Sequence, residues 1–412
     1  MNRIAIVGGG IGGLTAASLL AGEGFQVDVY EQASKIAPVG AGLGLFPNAM
    51  RVLTKMGLRE KIELRAVRQS LEVFRRFDDG RVIRSAREER LEQDFGSPRF
   101  TIHRADLLDA LISALPAGAL HLGERLQTLT QDDDGVDLQF VSGRRVRADV
   151  VLGADGITST VARLLNIGTR PHSSGYAVNR TVIPRERVAH LDLGPEDATT
   201  MWLGPHRHFS HYWVSSGRAL NVMATVHSPL DLEEAWTVAA DPLEVREAYK
   251  DWHPQVRGIL EAAESFSLFG LFHRYASERW NVGRVALLGD AAHPMVPFFG
   301  QGAAMAMEDA EALRALLTGA PGLDISRRLD VYSATRFERA RRCQNIATDH
   351  AREWELPDGP EQSARDARLA GTTDGAASDD ESGSYFSPSQ WLYGYDPAEA
   401  VLQALETEGA KR

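Results

Sequence analysis

The stretch HFSHYWV, residues 208–214, carries side chains that could move a proton. Strand alternation would place His208 and Tyr212 on one face and His211 on the other. A histidine suits a general base that takes a proton from a ring hydroxyl, and a tyrosine hydroxyl can hydrogen-bond the same ring. The pattern alone leaves either face open. Because the chain holds 12 histidines, a surface strand with scattered histidines is the competing interpretation.

A second stretch, GDAAHPMVPFFGQGAAMAMEDA, runs from residue 289 to residue 310 and combines an acid, prolines, glycines and an apolar helix. Pro294 and Pro297 would stiffen the turn, and Gly300 and Gly302 would let the backbone approach a ligand closely. Asp290 directly follows the apolar run VALLG, where a carboxylate has no evident core role. Such a stretch is typical of a loop lying against a flat ligand. The alternative is an ordinary Pro/Gly loop before a buried helix.

The N-terminal segment GGGIGG, residues 8–13, fits the G-x-G-x-x-G pattern of dinucleotide-binding loops. Gly8 would allow the tight turn out of a strand, Gly10 the approach of a pyrophosphate, and Gly13 the close packing of the next helix on the sheet. That helix, which opens at Ile11 and Gly12, would direct free N–H groups at the phosphates. The alternative is a glycine-rich structural turn.

An acid follows this loop at the expected distance. Glu31 stands 23 residues after Gly8, close to the ~20-residue offset of the acid that binds a ribose hydroxyl. An acid at this position favours a free 2′-hydroxyl. The motif therefore predicts FAD or NAD, and not NADP, as the resident ligand.

The elements that would position these residues are those of an α/β fold. RIAIV (3–7), the helical spacing of IGGLTAASLLAGEG and the strand FQVDVYE (25–31) predict a β-α-β unit and hence a parallel sheet. ADVVLGADG (148–156) and GRVALLGDAA (283–292) have the same buried character. We therefore predict a Rossmann-like domain that binds the dinucleotide.

The middle and the end of the chain follow other patterns. HFSHYWV and ALNVMATV flank an SSGR turn within residues 172–228, which predicts a β-hairpin in an antiparallel sheet. Residues 358–384 are polar and rich in Gly, Ala, Ser and Asp, which predicts a flexible segment. Aromatic residues in 385–397 predict that the tail docks back on the body. Helical spacing recurs over residues 242–265, 303–318 and 327–354.

Composition narrows the class of protein. The chain has 412 residues, enough for two domains, and a net charge of −11, which argues against nucleic acid or an anionic membrane surface as the main partner. Its single cysteine, Cys343, lies on a predicted helix and is expected to be inert. No apolar run reaches the ~18 residues of a membrane span, and no metal-binding pattern is present. We expect a cytoplasmic protein without a metal.

Three motifs together carry a family resemblance. GGGIGG, GADGITSTVAR (153–163) and GRVALLGDAAHPMVPFFGQGAAMAMEDA resemble those of the single-component FAD-dependent aromatic hydroxylases, a group that includes 4-hydroxybenzoate and salicylate hydroxylases. The resemblance covers nearly the whole chain, with further matches at residues 40–53 and 102–111. It implies that Arg104 contacts FAD and that Asp290 binds its ribityl chain. The expected cofactor-binding residues are Gly8, Gly10, Ile11, Gly12, Gly13, Glu31, Gly44, Arg104, Asp155, Asp290, Pro297, Gly302 and Ala303.

A narrower resemblance selects a face of the HFSHYWV strand. GPHRHFSHY (204–212) and WLYGYDP (391–397) are similar to the branch of 3-hydroxybenzoate 6-hydroxylase and 6-hydroxynicotinate 3-monooxygenase. In that branch a histidine and a tyrosine match His208 and Tyr212. We therefore predict His208 as base or proton relay and Tyr212 as a hydrogen-bond partner of the substrate. His211 takes the role if the register is reversed.

The chain departs from the family at three positions. The usual pattern D-G-x-x-S-x-x-R has Ala162 in place of its arginine, and Arg163 follows one residue later, which leaves the docking of NAD(P)H open. Gly44 stands where the 6-hydroxynicotinate enzymes tend to carry a histidine. Pro297 stands where the 3-hydroxybenzoate enzymes tend to carry a glutamine. The exact substrate is therefore open.

The resemblance implies an enzyme that uses NADH or NADPH and O₂ to hydroxylate a small aromatic ring through a flavin C4a-hydroperoxide. A phenolic or hydroxypyridine carboxylate is the expected substrate, and a tailoring hydroxylase or epoxidase acting on a larger natural product is the alternative. The oligomeric state is open, with a homodimer as one option. We expect a discontinuous FAD-binding domain at residues 1–70, 99–171 and 276–325. We expect an antiparallel-sheet substrate domain at 71–98 and 172–275, and a helical C-terminal region at 326–412.

Overall fold

The computed structural model describes residues 2–36, 41–88, 90–168, 170–227, 237–274, 277–320, 322–371 and 390–409. The strands are β1 (Arg3–Val7), β2 (Gln26–Glu31), β3 (Gly42–Leu45), β4 (Val67–Gln69), β5 (Leu71–Arg76), β6 (Val82–Arg87), β7 (Arg99–His103), β8 (Leu120–Leu122), β9 (Leu126–Gln131), β10 (Val136–Phe140), β11 (Arg145–Ala148), β12 (Val150–Gly153), β13 (His172–Pro184), β14 (Ala198–Gly204), β15 (Arg207–Val214), β16 (Ala219–His227), β17 (Thr237–Ala240), β18 (Phe266–His273), β19 (Asn281–Val282) and β20 (Val285–Leu287).

The helices connect and cover these strands. The α-helices are α1 (Ile11–Gly22), α2 (Pro47–Lys55), α3 (Arg59–Glu63), α4 (Leu91–Phe95), α5 (Arg104–Ile112), α6 (Thr160–Leu164), α7 (Arg185–Val188), α8 (Pro242–Ala248), α9 (Pro254–Ala262), α10 (Gly302–Gly319), α11 (Ile325–Trp354), α12 (Pro360–Gly371), α13 (Gln390–Tyr393) and α14 (Pro397–Gly409). Short 3₁₀ turns lie at Gly289–Ala291 and Pro297–Phe299.

A mainly parallel sheet forms the first half of the fold. In the described part of the chain its strand order is β19-β20-β12-β1-β2-β8. β1 pairs in parallel with both β2 and β12, and β12 pairs in parallel with β20. The central strands are buried along their length, which explains their continuous apolar runs. The predicted β-α-β unit is confirmed as β1, α1 and β2.

A second, larger sheet has the order β17-β18-β13-β16-β15-β14-β5-β6 among the described residues. β15 and β16 pair in antiparallel register, which confirms the predicted hairpin. The sheet is not wholly antiparallel, however, because β5 pairs with β14 in parallel. β5 and β6 come from an earlier part of the chain and pair with each other in antiparallel register, so their direction is not set by a short connection to β14. Smaller sheets have the orders β11-β10-β9 and β3-β7-β4.

The helical end of the chain agrees with the sequence except over one segment. α10 and α11 match the predicted helices, and the pair α8 and α9 covers most of 242–265. Residues 360–371 form α12, so the prediction of a flexible segment over 358–384 is wrong there. Although its composition is polar, this segment forms an amphipathic helix in which Arg365 and Leu369 are buried. The rest of that prediction, residues 372–384, lies outside the described residues.

The C-terminal aromatic segment docks on the body, as predicted, where the structure describes it. Arg51 donates hydrogen bonds to the carbonyls of Tyr395 and Tyr393, at 2.6 and 2.7 Å. Arg339 donates to the carbonyl of Leu392 at 2.8 Å. Residues 385–389 of the same prediction lie outside the described part. In the described residues no helix is long and apolar enough to cross a bilayer.

Candidate active site

A chain of adjoining cavities follows the carboxyl ends of β1, β12 and β20. The first cavity has a volume of about 200 Å³ and is lined by Glu31. The central cavity has a volume of about 370 Å³ and is lined by Asp290. The inner pocket has a volume of about 70 Å³ and is lined by Ser210. Gly10 borders both the first and the central cavity. Tyr212 borders both the central cavity and the inner pocket. This edge of a parallel sheet is where such folds bind nucleotides.

The glycine loop has the geometry of a phosphate cradle. Gly8 has φ 112°, and a Cβ added there would lie 2.3 Å from the carbonyl oxygen of Ala154. A Cβ on Gly13 would lie 2.1 Å from the carbonyl oxygen of Gly8. A Cβ on Gly10 would meet no atom within 4 Å, because this residue faces the cavities. Gly10 also caps α1 without a side-chain hydrogen bond, so the first amides of the helix are open to an anion.

Glu31 lines the first cavity but is already bound to the backbone. Its carboxylate oxygens accept hydrogen bonds from the amides of Gly9 and Ala33, at 2.7 and 2.8 Å. A carboxylate has about four acceptor positions, so these bonds orient Glu31 and leave others for a ribose hydroxyl. The position of the acid therefore suits the sugar of a dinucleotide.

Arg104 and Asp290 face the central cavity with their side chains unoccupied by protein. Arg104 begins α5, and Asp290 lies in the 3₁₀ turn after β20. Neither side chain hydrogen-bonds a residue that the structure describes. Burial raises the pKa of Asp290, while His293 and Arg104 oppose that change. Protein surrounds Asp290 closely enough to raise its pKa, but its side chain is exposed to the central cavity, a setting that fits a polar ligand such as the ribityl chain of FAD.

A buried ion cluster holds the Asp290 turn in place. Asp309 on α10 accepts hydrogen bonds from the amide of Gly289 at 3.0 Å and from Arg336 Nε at 2.8 Å, and it lies 2.6 Å from His293 Nε2. Burial opposes ionisation of this carboxyl, but His293 and Arg336 outweigh it and hold the pKa of Asp309 at about 2. His293 is thus a structural partner of the loop.

The N-terminus of α10 also opens onto the central cavity. The helix begins at Gly302, and Gln301 caps it without a side-chain hydrogen bond. Gly302 and Ala303 line the central cavity, while Pro297 and Gly300 line both this cavity and the inner pocket. Free amides at this helix end favour a negatively charged group in the cavity.

The HFSHYWV strand, β15, presents the predicted face to the inner pocket. Tyr212 lines that pocket, and burial raises the pKa of its hydroxyl to about 12. His208 does not line the pocket, because its ring lies behind those of Phe298 and Trp354, which do. His208 is fully buried, and its Nδ1 is 2.8 Å from Oε1 of Glu355.

His211 points to the opposite side of the sheet. It lies in the core beside Phe209 and does not line the inner pocket. Burial and the charge of Arg75 lower the pKa of His211 to about 3. A histidine with so low a pKa stays neutral and is a weak base at neutral pH.

Two arginines lie beside the inner pocket in different electrostatic settings. Arg99 lines the pocket and forms a buried ion pair with Glu72, at 3.1 Å. Burial raises the pKa of Glu72 to about 7 against the opposing charge of Arg99. Arg180 lines the central cavity beside Tyr212, and it forms no ion pair with any residue in the described ranges. Burial lowers the pKa of Arg180, so its charge is poorly solvated.

The D-G-x-x-S motif acts here as a helix cap. The carboxylate of Asp155 accepts hydrogen bonds from the hydroxyl of Ser159 at 2.5 Å and from the amide of Thr160 at 2.7 Å. Asp155 therefore lines the first cavity with its carboxylate directed at α6. Ala162, at the usual arginine position, is buried in the core, and Arg163 is exposed.

A different arginine occupies the space between the two cofactor loops. Arg274 donates to the carbonyl of Ile157 at 2.6 Å and to that of Ala291 at 2.8 Å, and so links the Asp155 loop to the Asp290 turn. The sequence offered no signal for Arg274, since it is an isolated residue after β18. Asp309, Arg336 and Glu355 were missed because their partners are distant in the chain. Arg180 was missed because no motif marks it.

Comparison with known proteins gives consistent relatives. A family model described as an FAD binding domain matches residues 1–347. The chain is 39% identical to 3-amino-4-hydroxybenzoate 2-monooxygenase of Streptomyces cremeus, over 90% of this chain and 92% of the relative. It is 34% identical to 6-hydroxynicotinate 3-monooxygenase of Bordetella bronchiseptica, over 84% and 91%. It superimposes on Klebsiella pneumoniae HpxO in complex with FAD and uric acid with a TM-score of 0.80 and 26% identity, over 90% and 93% of the two chains.

Proposed function

Because this chain belongs to the family of FAD-dependent aromatic hydroxylases, we propose that it uses NADH or NADPH and O₂ to hydroxylate a small aromatic carboxylate. The ring of this substrate carries a hydroxyl group, as in a hydroxybenzoate or a hydroxypyridine carboxylate. FAD is the cofactor of the family, and the resemblance recognised in the sequence is confirmed. The 3-amino-4-hydroxybenzoate relatives add an aminophenol carboxylate to the substrates worth testing.

The observation that carries the proposal is the junction between the central cavity and the inner pocket. The two share a wall formed by Gly44, Tyr212, Met223, Pro297 and Gly300. An FAD whose pyrophosphate lies at Gly10 would extend along the central cavity and bring its ring system to this junction. The inner pocket, at about 70 Å³, is the smallest of the three cavities. Its small size favours a single aromatic ring over a larger natural product.

Bound FAD would supply the redox chemistry: it accepts a hydride from NAD(P)H and then activates O₂ for transfer to the ring. This chain's residues would bind and orient the reactants. The open amides of α1 hold the pyrophosphate, Asp290 accepts hydrogen bonds from ribityl hydroxyls, and Arg104 contributes a positive charge. The N-terminus of α10 faces the ring end of the cavity, where negative charge develops on reduction.

Arg180 supports a carboxylate on the substrate. Arg180 lines the central cavity close enough to Tyr212 for their charges to interact, and it has no acidic partner among the described residues. The relatives act, by their names, on benzoates and on a nicotinate, which are carboxylates. Arg99 is less suited to bind a substrate carboxylate, since it already pairs with Glu72 at 3.1 Å and with Glu88 at 3.3 Å. We propose that Arg180 binds the substrate carboxylate.

His208 is proposed as the base that removes the proton of the ring hydroxyl, with Tyr212 as a hydrogen-bond partner of the ring. Removing this proton makes the ring electron-rich, which an electrophilic oxygen donor requires. Two aromatic rings, those of Phe298 and Trp354, separate His208 from the pocket, so contact needs one of these rings to turn. His211 is not favoured, because it faces the core.

The two large sheets support the proposed division into domains. The parallel sheet and its helices would form the FAD-binding domain, at 1–70, 99–171 and 276–325. The sheet that contains β5, β6 and β13–β18 would form the substrate domain, at 71–98 and 172–275. The inner pocket lies between them, since Thr101 and Ser210 both line it.

The test is substrate-stimulated oxidation of NADH and of NADPH by the FAD-loaded protein, with product identification by mass spectrometry. Each carboxylate is compared with the same ring without its carboxylate: 3-amino-4-hydroxybenzoate with 2-aminophenol, and 6-hydroxynicotinate with 2-hydroxypyridine. We expect stimulation and a hydroxylated product with at least one carboxylate, and weak stimulation with its decarboxylated partner. Stimulation only by multi-ring compounds would favour the tailoring-enzyme alternative.

A further inference from the structure

We propose that Glu355 and His227 continue the path of the substrate proton from His208 to solvent. This inference rests on the proposed function, because it takes His208 as the base. It adds two positioning residues that no motif of the sequence indicated, one at the C-terminal end of α11 and one at the end of β16.

The three side chains form a continuous hydrogen-bonded row. Oε1 of Glu355 is 2.8 Å from His208 Nδ1 and accepts a hydrogen bond from the Thr225 hydroxyl at 2.8 Å. Oε2 of Glu355 is 3.1 Å from His227 Nε2. His208 and Glu355 are buried, whereas the side chain of His227 is 50% exposed. One carboxylate thus bridges a buried histidine and a solvent-accessible one.

The bond to Glu355 determines what the other nitrogen of His208 can do. When Nδ1 carries the proton that Glu355 accepts, Nε2 of a neutral imidazole carries a lone pair. This Nε2 is buried and has no hydrogen-bond partner among the described residues. The lone pair of this nitrogen can therefore accept a proton. Phe298 and Trp354, which contact the His208 ring and line the inner pocket, lie between it and the pocket.

The proton balance runs in two directions over one turnover. Before oxygen transfer, the O–H bond of the substrate breaks and an N–H bond forms at Nε2 of His208. The Nδ1–H bond of His208 then breaks, and the proton passes to Oε1 of Glu355, whose carboxyl group rotates to present it to His227. His227 enters this step with its proton on Nδ1, so its Nε2 lone pair takes the proton from Glu355 while the Nδ1 proton leaves to solvent. After oxygen transfer the same steps reverse, protonating the product and restoring the original tautomers. No electrons move along this row.

The surroundings of Glu355 keep its carboxyl group ionised and limit which other nearby side chains can titrate. Burial opposes ionisation of Glu355, but His208, Thr225 and His227 outweigh it and lower its pKa. The ring of Tyr176 lies 4.7 Å from that of His227, tilted by 51°. Burial and the charge of Glu355 raise the pKa of the Tyr176 hydroxyl.

Two other groups face this row. The ring of His206 lies 6.1 Å from that of His227. The charge of Arg352 partly offsets the rise in the pKa of Tyr176. On the side of the row that faces the protein interior, the Tyr249 hydroxyl hydrogen-bonds the backbone carbonyls of His208 and Thr225. Neither His206 nor Arg352 has a direct bond to the Glu355 carboxylate.

The test follows the ring-hydroxyl absorbance of 3-amino-4-hydroxybenzoate as it binds to the FAD-loaded enzyme in a stopped-flow instrument, across pH. We expect Glu355→Gln to slow deprotonation by about 10²-fold or more, as for loss of a general base, with FAD affinity and the rate of flavin reduction unchanged. His227→Gln should slow proton release, and added imidazole should restore it because the site is open to solvent. In His206→Asn the side chain next to His227 changes, but it has no bond to the Glu355 carboxylate, and the backbone bond from the His206 amide to the Glu355 carbonyl, at 2.9 Å, is kept. This variant should behave as wild type.

The outcomes separate this inference from the proposed function. The path would be overturned if Glu355→Gln and His227→Gln both kept wild-type deprotonation rates and pH profiles while His208→Gln was defective. His208 would then remain the base. No defect in His208→Gln would overturn the base itself. If Glu355→Gln does not fold, His227→Gln still decides, since this residue is half-exposed; a defect that imidazole does not rescue would mean a merely structural ion cluster.

Discussion

Replacing Gly10 by valine should block FAD binding and leave the fold intact. A Cβ at this position meets no protein atom within 4 Å, and φ −79° with ψ −176° is an extended conformation that valine adopts readily. The added side chain would instead fill the space where the first and central cavities meet, above the open amides of α1. The perturbation therefore falls on the ligand and not on the core.

The size of the effect follows from the contacts that would be lost. A hydrogen bond to a charged group is worth about 1.5–3 kcal/mol, so loss of one amide–phosphate bond should weaken FAD binding by about 10- to 150-fold. Displacement of more than one bond would abolish binding at micromolar FAD. The assay is titration of apoprotein with FAD, followed by quenching of flavin fluorescence, with thermal melting by circular dichroism as the measure of folding.

Two glycines in the same region serve as controls. Gly22→Val, at the far end of α1, also meets no atom within 4 Å and should keep wild-type affinity. Gly8→Val should destabilise the fold, because its φ of 112° is unfavourable for valine and its Cβ would clash with the carbonyl of Ala154 at 2.3 Å. Unchanged FAD affinity in Gly10→Val, or a melting loss as large as that of Gly8→Val, would refute this account of the loop.

Further predictions concern the central cavity and the inner pocket. Asp290→Ala should raise the Kd for FAD about 5- to 150-fold, since unpaired ribityl hydroxyls cost ~1–3 kcal/mol; an unchanged Kd in the same titration would show that the acid faces elsewhere. Arg180→Gln should raise KM for 3-amino-4-hydroxybenzoate about 10- to 150-fold, the loss of one charged hydrogen bond, and leave KM for 2-aminophenol unchanged; equal changes for both would exclude a carboxylate role. His208→Ala should still be reduced by NAD(P)H but release hydrogen peroxide instead of product, with coupling partly restored at high pH, whereas His211→Ala should couple as wild type. The opposite result for the two histidines would exchange their roles.

Local patterns predicted the parts of the fold that depend on near neighbours. The glycine loop between β1 and α1, the hairpin of β15 and β16, and the helices α10 and α11 all have short-range signals in glycine spacing or apolar periodicity. Alternation along β15 separated Tyr212 from His211, and the family resemblance selected the face that carries Tyr212, which lines the inner pocket. α12 was missed because its buried face contains Arg365, and an arginine in a sequence predicts an exposed position.

The site residues that the sequence missed depend on contacts between distant segments. Glu355 meets His208 across 147 residues, and Arg274 meets Ile157 across 117. A single sequence does not reveal which of many arginines or glutamates will be buried opposite a given partner. The parallel pairing of β5 with β14 belongs to the same class, since it joins segments that are far apart in the chain. Motifs therefore located the cofactor loops, and only the fold revealed what holds them together.

The central claim is that this chain transfers one oxygen atom from O₂ to an aromatic carboxylate. The most direct measurement is turnover of the FAD-loaded protein with NAD(P)H under ¹⁸O₂, using 3-amino-4-hydroxybenzoate and 6-hydroxynicotinate, with mass spectrometry of the products. The account predicts a product that carries a single ¹⁸O and forms in proportion to the NAD(P)H consumed. Oxidation of NAD(P)H that yields only hydrogen peroxide with every aromatic tested, or a product oxygen that comes from water, would contradict it.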